Sequence, residues 1–381
     1  MTAPARIRRA ILDAGEALGF LRPRVTRIVP LPREAFLEGW LAEGRAADMR
    51  YLLHHRKARL DPRTRYPWAR SIISAFFPYR PPPPPDGDWR RQLRGRIAAY
   101  AAGRDYHAEI ALRLALWRGA IRQLAPGART RAAVDSSPVL EHDWAMRAGV
   151  GWTGKHTLTI DEDAGSYAFL AEILLELPLE PDAPVPERCG TCSRCLDQCP
   201  TGAIESGYRL DPRRCISYLT IEHRGSIPPS LRPSLSNWIF GCDVCQWVCP
   251  WNRERSEPDP ALAPSLPAIL SLDRRSFRRR YGGTALARAG RVRLARNAAV
   301  ALGNSANPAA LAPLVGALHE RPEALVRAHA AWAIGRIAAT ERRACAAALE
   351  RSRRDPAAEV RAEVEAALAA TEEIGERGGR C

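Results

Sequence analysis

Apolar positions recur at helical spacing in two stretches of the N-terminal half. The first runs from Arg6 to Gly19. The second runs from Ile97 to Leu124 and sets Ile110, Leu114, Trp117 and Ile121 on one face. Between them, Ser71-Ile72-Ile73-Ser74-Ala75-Phe76-Phe77 is a short apolar run suited to a buried strand. Five consecutive prolines, Pro81 to Pro85, then force an extended loop. Ala132-Ala133-Val134 leads as a strand into Asp135, Trp144 to Arg147 is helix-like, and Thr157 to Ile160 is strand-like. Periodicity leaves Tyr167 to Leu177 open between helix and strand. Glu172 and Glu176 interrupt the apolar stretch from Tyr167 to Leu179, which falls well short of the about 20 residues of a membrane span. The pattern predicts a mixed α/β domain over residues 1–180.

A polar, proline-punctuated stretch from Asn252 to Pro267 reads as a linker. Beyond it the chain turns to Ala, Leu and Arg and begins to repeat. Asn297-Ala298-Ala299-Val300-Ala301-Leu302-Gly303 returns 32 residues later as His329-Ala330-Ala331-Trp332-Ala333-Ile334-Gly335. Val326-Arg327-Ala328 returns as Val360-Arg361-Ala362, and Pro322 as Pro356. A period in the low thirties with helix-pair composition predicts a HEAT-like α-solenoid over residues 268–381.

Eight of the ten cysteines lie between these parts. Cys189, Cys192, Cys195 and Cys199-Pro200 follow the x2, x2, x3 spacing of the bacterial ferredoxin run. In that run the fourth cysteine serves the other cluster. Cys242, Cys245 and Cys249-Pro250 form a second group, with Cys215 standing upstream. Crossing the fourth ligands gives Cys189, Cys192, Cys195 and Cys249 around one [4Fe-4S] cluster. It leaves Cys199, Cys215, Cys242 and Cys245 around the other. Every cysteine of residues 181–255 is then used. A pair of four-cysteine zinc sites is the competing reading, but zinc requires neither the third close cysteine nor the trailing Cys-Pro. Cys345 reads as a small core residue within the repeat, and Cys381 ends the chain.

Gly149-Val150-Gly151-Trp152-Thr153-Gly154 fits G-x-G-x-x-G, and Gly149 to Lys155 nearly fits a phosphate-binding loop. A dinucleotide fingerprint follows a strand and opens a helix. Here a helix precedes and a strand follows, and His156 stands where a hydroxyl would hold magnesium. The segment therefore reads as a turn packed against an active site.

Charge adds a partner. Of 381 residues, 57 are Lys or Arg and 42 Asp or Glu, for a net of +15; only Lys57 and Lys155 are lysines. Asp273 to Arg296 holds nine arginines against one acid. Arg213, Arg214, Arg224 and Arg232 lie in the cysteine-rich section. Such a run is often only a solvated face, but arginine also pairs bidentately with phosphate and stacks on splayed bases. The N-terminal Arg8-Arg9 is followed by Asp13 and Glu16, which spoil an export signal, so the chain reads as cytoplasmic.

The residues taken together resemble epoxyqueuosine reductase. The resemblance is carried by Tyr100 to His107, Val134 to Glu141, Ala148 to Thr157, both cysteine groups and the repeats. His156 departs from the asparagine more usual there. The resemblance implies a nitroreductase-like α/β cobalamin-binding domain, a two-cluster ferredoxin-like module and a HEAT-like solenoid. It implies reduction of epoxyqueuosine to queuosine at the wobble position of tRNA, the last step of queuosine formation. Two [4Fe-4S] clusters would feed cobalamin, and a ferredoxin or flavodoxin would supply electrons to a monomeric enzyme.

Asp135 is the proton donor on this reading; the bland alternative is a turn cap before Pro138. A carboxyl beside an apolar corrin is desolvated, which favours its protonated form. Tyr106, Asp135, Lys155, Thr159, Ser217, Cys242 and Asp243 are the implied cobalamin contacts, with no histidine ligand to cobalt. Glu141 and His142 read as supporting or surface groups, and His54 and His55 as solvent-facing. Arg224, Arg274, Arg275, Arg278, Arg279, Arg280, Arg293 and Arg296 are the expected tRNA contacts. A small-molecule reductive dehalogenase and a two-cluster electron relay remain the alternatives.

Overall fold

The computed structural model describes residues 2–79, 88–253 and 259–378; the Pro81–Pro85 run, part of the Asn252–Pro267 linker and Cys381 lie outside them. The chain gathers into two compact units, each discontinuous in sequence. The first comprises Met1–Pro81, Asp105–Arg213 and Asp243–Ser256; the second comprises Pro82–Arg104, Arg214–Cys242 and Glu257–Cys381. The cysteine-rich stretch expected at 181–255 is thus shared between them.

The first unit is built on a four-stranded antiparallel sheet. Its strands are β1 (Leu21–Arg27), β2 (Ser71–Pro78), β3 (Thr130–Val134) and β4 (Ala168–Leu175), in the order β1-β2-β4-β3. The undecided stretch at Tyr167 is therefore strand β4. It pairs with β2 along one edge and β3 along the other, and helices cover both of its faces, so it lacks simple alternation.

Helices α1 (Ala3–Ala17) and α2 (Tyr106–Leu124) pack on one face of the sheet. Ile110, Leu114, Trp117 and Ile121 all point into that core, and Trp117 Nε1 donates to Ile11 O at 2.8 Å. Helix α3 (Glu141–Ala148) covers the other face through Trp144, Ala145 and Ala148.

Two boundaries differ from those the periodicity predicts. Helix α2 starts at Tyr106 rather than near Ile97, because the Asp105 carboxylate caps it by accepting from His107 N–H. Arg96–Ile97 is instead a short strand of the second unit, parallel to Trp238–Phe240. Strand structure around Ile160 is limited to Thr159–Ile160, because Thr157 adopts a left-handed conformation (φ 70°).

The second unit is dominated by helices α4 (Gly290–Ser305), α5 (Leu311–Glu320), α6 (Ala324–Glu350, kinked at Glu341) and α7 (Ala358–Gly378). The repeat is visible in the packing. A Cβ on Gly303 would lie 2.8 Å from Ala333 Cα, and one on Gly335, 32 residues on, would lie 3.0 Å from Ala367 Cβ. The repeated positions Asn297 and His329 are both fully buried. Asn297 Nδ2 donates to Thr220 O and Ile239 O; His329 Nε2 accepts from Ile227 N–H, which fixes its Nδ1–H on Leu325 O. The helices thus hold the 216–241 segment by its backbone.

Candidate active site and metal centres

Strand β3 ends at Val134, so Asp135 leaves the sheet at its rim, about a third exposed. The start of α2 supplies its partners. Tyr106 Oη donates to Asp135 Oδ2. His107 Nε2 lies 2.7 Å from Asp135 Oδ1, and its Nδ1 lies 2.7 Å from Asp105 Oδ1. Both ring nitrogens face carboxylate oxygens, so the Asp105–His107–Asp135 chain is satisfied only when it carries a proton beyond the neutral imidazole's own. Sequence alone gives neither His107 nor Asp105 a role. The capping position of Asp105, just ahead of the apolar periodicity, was the available signal.

Aromatic rings flank the acid. Tyr106 stacks on Phe169 with centroids 3.9 Å apart, and Phe169 meets Tyr79 at 4.8 Å. This wall and the partly exposed Asp135 suit the edge of a large flat ligand.

Behind Asp135 lies a buried acidic cluster. Glu172 on β4 is 1% exposed, and neither carboxylate oxygen has a hydrogen-bond partner among the described residues. Burial pushes its pKa well up, and the nearby Glu141 and Asp135 charges push it further. Glu141, the first residue of α3, is raised by burial and then by Asp135, against the opposing pull of Arg59. Glu141 itself is half-buried. His142 is likewise set inward: its Nδ1 lies 2.7 Å from Thr159 Oγ1, and burial lowers its pKa to about 4.

That bond bears on the expected corrin contacts. Thr159 is buried and its hydroxyl is committed to His142. Lys155 Nζ donates to Gly190 O at 2.6 Å and Cys192 O at 3.0 Å, bracing a cysteine loop. Asp243 is buried at the start of the Val244–Trp247 helical turn. Ser217 and Cys242 belong to the second unit. Tyr106 and Asp135 lie together at the β3 rim.

Cys189, Cys192, Cys195 and Cys249 line one cavity of about 200 Å³, as the crossing of fourth ligands requires. Burial raises the Cys195 thiol to about 11, with further contributions from Cys249, Cys189 and Cys192. Burial likewise raises the Cys189 and Cys249 thiols, so a bound metal centre would be needed to hold these three as thiolates near neutral pH. The thiols ring the cavity rather than converging: among the described residues, no three His, Cys, Asp or Glu side chains meet at single-ion spacing. Trp152 and Trp251, edge to face at 4.9 Å, form an apolar flank with Ile160. Asn252 accepts from Ser166 N–H and donates to Gln246 O, pinning the Cys249 segment to the α/β unit. Of the other four cysteines, Cys199 and Cys245 lie in the first unit and Cys215 and Cys242 in the second.

The glycine-rich turn has a packing role. A Cβ on Gly149 (φ +80°) would meet Ala183 O at 2.2 Å, and one on Gly151 would meet Ile160 O at 2.2 Å. Both glycines admit neighbouring backbone, and the helix-before-strand order is as the sequence indicated.

The arginines divide sharply. Arg274, Arg275, Arg278, Arg279 and Arg280 are carried on the Arg274–Tyr281 helix, where all five are exposed, and Arg224 is exposed as well. Arg296 corrects the expectation: it is fully buried, and its guanidinium donates to His223 O, Gly225 O, Leu219 O and Asn297 Oδ1. Arg293 is half-buried and spent on the carbonyls of Ala289, Glu222 and Arg288. Arg232 is also fully buried, paired with Glu363. Repeat-region charge is not all surface charge, because burial leaves no mark on composition. Among the described residues no helix is long and apolar enough to cross a membrane.

Comparison with known proteins follows the same division. Residues 59–136 match a family model described as epoxyqueuosine reductase QueG, residues 188–252 a 4Fe-4S double cluster binding domain, and residues 284–369 HEAT repeats. An epoxyqueuosine reductase of Alicycliphilus denitrificans is 41% identical over 340 residues, covering 83% of this chain and 94% of its own. That of Escherichia coli is 38% identical over 339 residues, covering 86% and 89%. An epoxyqueuosine reductase solved with an epoxyqueuosine-modified tRNA-Tyr stem loop superposes with a TM-score of 0.86 at 28% identity, over 97% of this chain and all of that one. One from Bacillus subtilis, solved with an aspartate-bearing catalytic loop swung out of the active site, gives 0.85 at 28% identity over 96% and 99%.

Proposed function

The chain belongs to the epoxyqueuosine reductase family and reduces epoxyqueuosine to queuosine in tRNA; we propose that Asp135 delivers the proton and that cobalamin and two [4Fe-4S] clusters deliver the electrons. The observation that carries the acid's assignment is its bonding to both Tyr106 and His107. The aspartate-bearing catalytic loop of the B. subtilis relative supports the same choice.

Removing the epoxide oxygen as water consumes two electrons and two protons. Clusters pass electrons singly, whereas a corrin cobalt supplies a strongly reducing centre able to act on the epoxide. The residues that would hold the first cluster are Cys189, Cys192, Cys195 and Cys249. The spacing assigns Cys199, Cys215, Cys242 and Cys245 to the second. Tyr106 and Asp135 would face the corrin, with the aromatic wall beside them excluding water. Asp135 donates to the epoxide oxygen as its carbon–oxygen bond breaks, and His107 then returns a proton from its bond with Asp105. Tyr106 fixes the other carboxylate oxygen, so the acid presents one defined edge.

The arginines of the Arg274–Tyr281 helix and Arg224 hold the tRNA at its phosphates. A tRNA substrate fits a cytoplasmic enzyme, and a low-potential ferredoxin or flavodoxin suits the clusters as donor.

The deciding experiment is anaerobic turnover of epoxyqueuosine-containing tRNA, with nucleosides resolved by mass, with and without cobalamin. Cobalamin-dependent loss of one oxygen that disappears in Asp135→Ala supports both assignments. Turnover that survives in Asp135→Ala moves the proton donor elsewhere.

A further inference from the structure

Of the 57 basic residues only Lys57 and Lys155 are lysines. Lys155 meets the first cysteine loop at three points. Its main-chain N–H donates to the Cys189 sulfur. Its Nζ donates to Gly190 O at 2.6 Å and to Cys192 O at 3.0 Å. Two carbonyls so placed take a compact ammonium with separate donors better than the planar fork of arginine.

The stem between these contacts is fixed as well. Tyr208 N–H donates to Lys155 O at 3.0 Å, and a Cβ on Gly207 would lie 3.0 Å from Lys155 Cγ, so the turn of the 204–210 hairpin packs on the side chain. Lys155 is half-buried and lines the cavity shared by Cys189, Cys192, Cys195 and Cys249. Arg188, Arg194 and Arg253 line it too, but all three are exposed. Arg188 is paired with Glu162 at 2.7 Å, and Arg253 lies over the Trp251 ring. Water and partners weaken the field of such charges, whereas two carbonyls hold the Lys155 ammonium on the loop. An acid is bonded to the same loop: Glu187 Oε1 accepts from Cys189 N–H.

We propose that Lys155 is a positioning residue that sets the reduction potential of the first cluster, holding it above the value its four thiolates alone would give. This rests on Cys189, Cys192, Cys195 and Cys249 holding a [4Fe-4S] cluster. Reduction adds one electron to a centre that four thiolates already make negative. A fixed ammonium beside it favours the more negative state, and the Glu187 carboxylate opposes it. The electron comes from the donor the reaction already uses, and no proton moves in the step. Turnover takes two electrons one at a time, and the raised potential lets this cluster accept each of them more readily.

The test uses the full chain with its clusters loaded, titrated against potential and followed by low-temperature electron paramagnetic resonance. The signal missing from Cys195→Ala identifies the first cluster. Lys155→Met keeps the main-chain bond to Cys189 and an unbranched stem but removes the charge. The first-cluster midpoint should fall by about tenfold in the reduced-to-oxidised ratio, or ~59 mV for one electron, while the second midpoint stays where it is. Glu187→Gln keeps an oxygen acceptor for Cys189 N–H and should raise the same midpoint. Loosening of the loop would not reverse its effect with the sign of the charge removed. An unchanged midpoint in Lys155→Met, or shifts of the same sign in both variants, overturns the proposal. If Lys155→Met does not take up the cluster, Glu187→Gln decides alone, and a midpoint that stays or falls overturns it. Wild-type protein with no signal that Cys195→Ala removes overturns the cluster assignment, and the tuning with it.

Discussion

His107 bridges two carboxylates, Asp135 on its Nε2 and Asp105 on its Nδ1, at 2.7 Å each. Replacing it with glutamine keeps one bond and removes the shuttled proton. His107→Gln is expected to lower kcat about 100-fold, the lower range for losing a positioned acid–base group, with the KM for tRNA little changed. Steady-state assays under anaerobic conditions check this.

The first cysteine set makes a compositional prediction. Cys195→Ala removes one corner of the cavity that Cys189, Cys192 and Cys249 complete. Iron content should fall from about eight to about four atoms per chain. Cys345→Ala, buried in the repeats, should leave it unchanged. Iron analysis on anaerobically purified protein decides.

Two arginine classes should separate by assay. Replacing Arg278, Arg279 and Arg280 with alanine should weaken tRNA binding and reduce the salt slope by about three, one for each phosphate that is no longer neutralised. Arg296→Ala instead strips partners from four acceptors, two of them buried, and should cost about 3 kcal/mol or more of stability. Filter binding against salt and thermal unfolding, run on both variants, test the distinction.

His142 sets an acid limit on stability. Its folded pKa is about 4, below its ordinary 6.5, because burial disfavours the imidazolium. Between those values the unfolded chain binds more proton than the folded one. Its contribution is thus present above about pH 6.5 and lost as pH falls toward 4, on the order of 3 kcal/mol in all. Denaturant unfolding across that window should show the decline, and His142→Gln should flatten it.

What the sequence disclosed depended on whether the signal was local. The apolar face of α2 and the crossing of Cys249 to the first cysteine group were readable because spacing carries them. The beginning of α2 was missed because Arg96–Ile97 pairs with a strand over 130 residues away, and no periodicity announces that partner. Glu172 read as a flaw in an apolar run. Its buried setting, opposite Ala133 and Ser74, comes only from the register of β4. Arg296 was counted with its neighbours as surface charge, yet it sits one residue before the repeated Asn297 and is buried with it.

Asn297, His329 and Arg296 spend their hydrogen bonds on the chain's own 216–241 segment, which runs between Cys215 and Cys242. The repeats are therefore not a detachable adaptor that could be trimmed or exchanged for another module. A chain truncated before Gly290 would lose the side chains that hold the backbone between those two cysteines. Exchange of the repeats is closed to this architecture, because their buried polar side chains and the backbone between two cysteines fix one another.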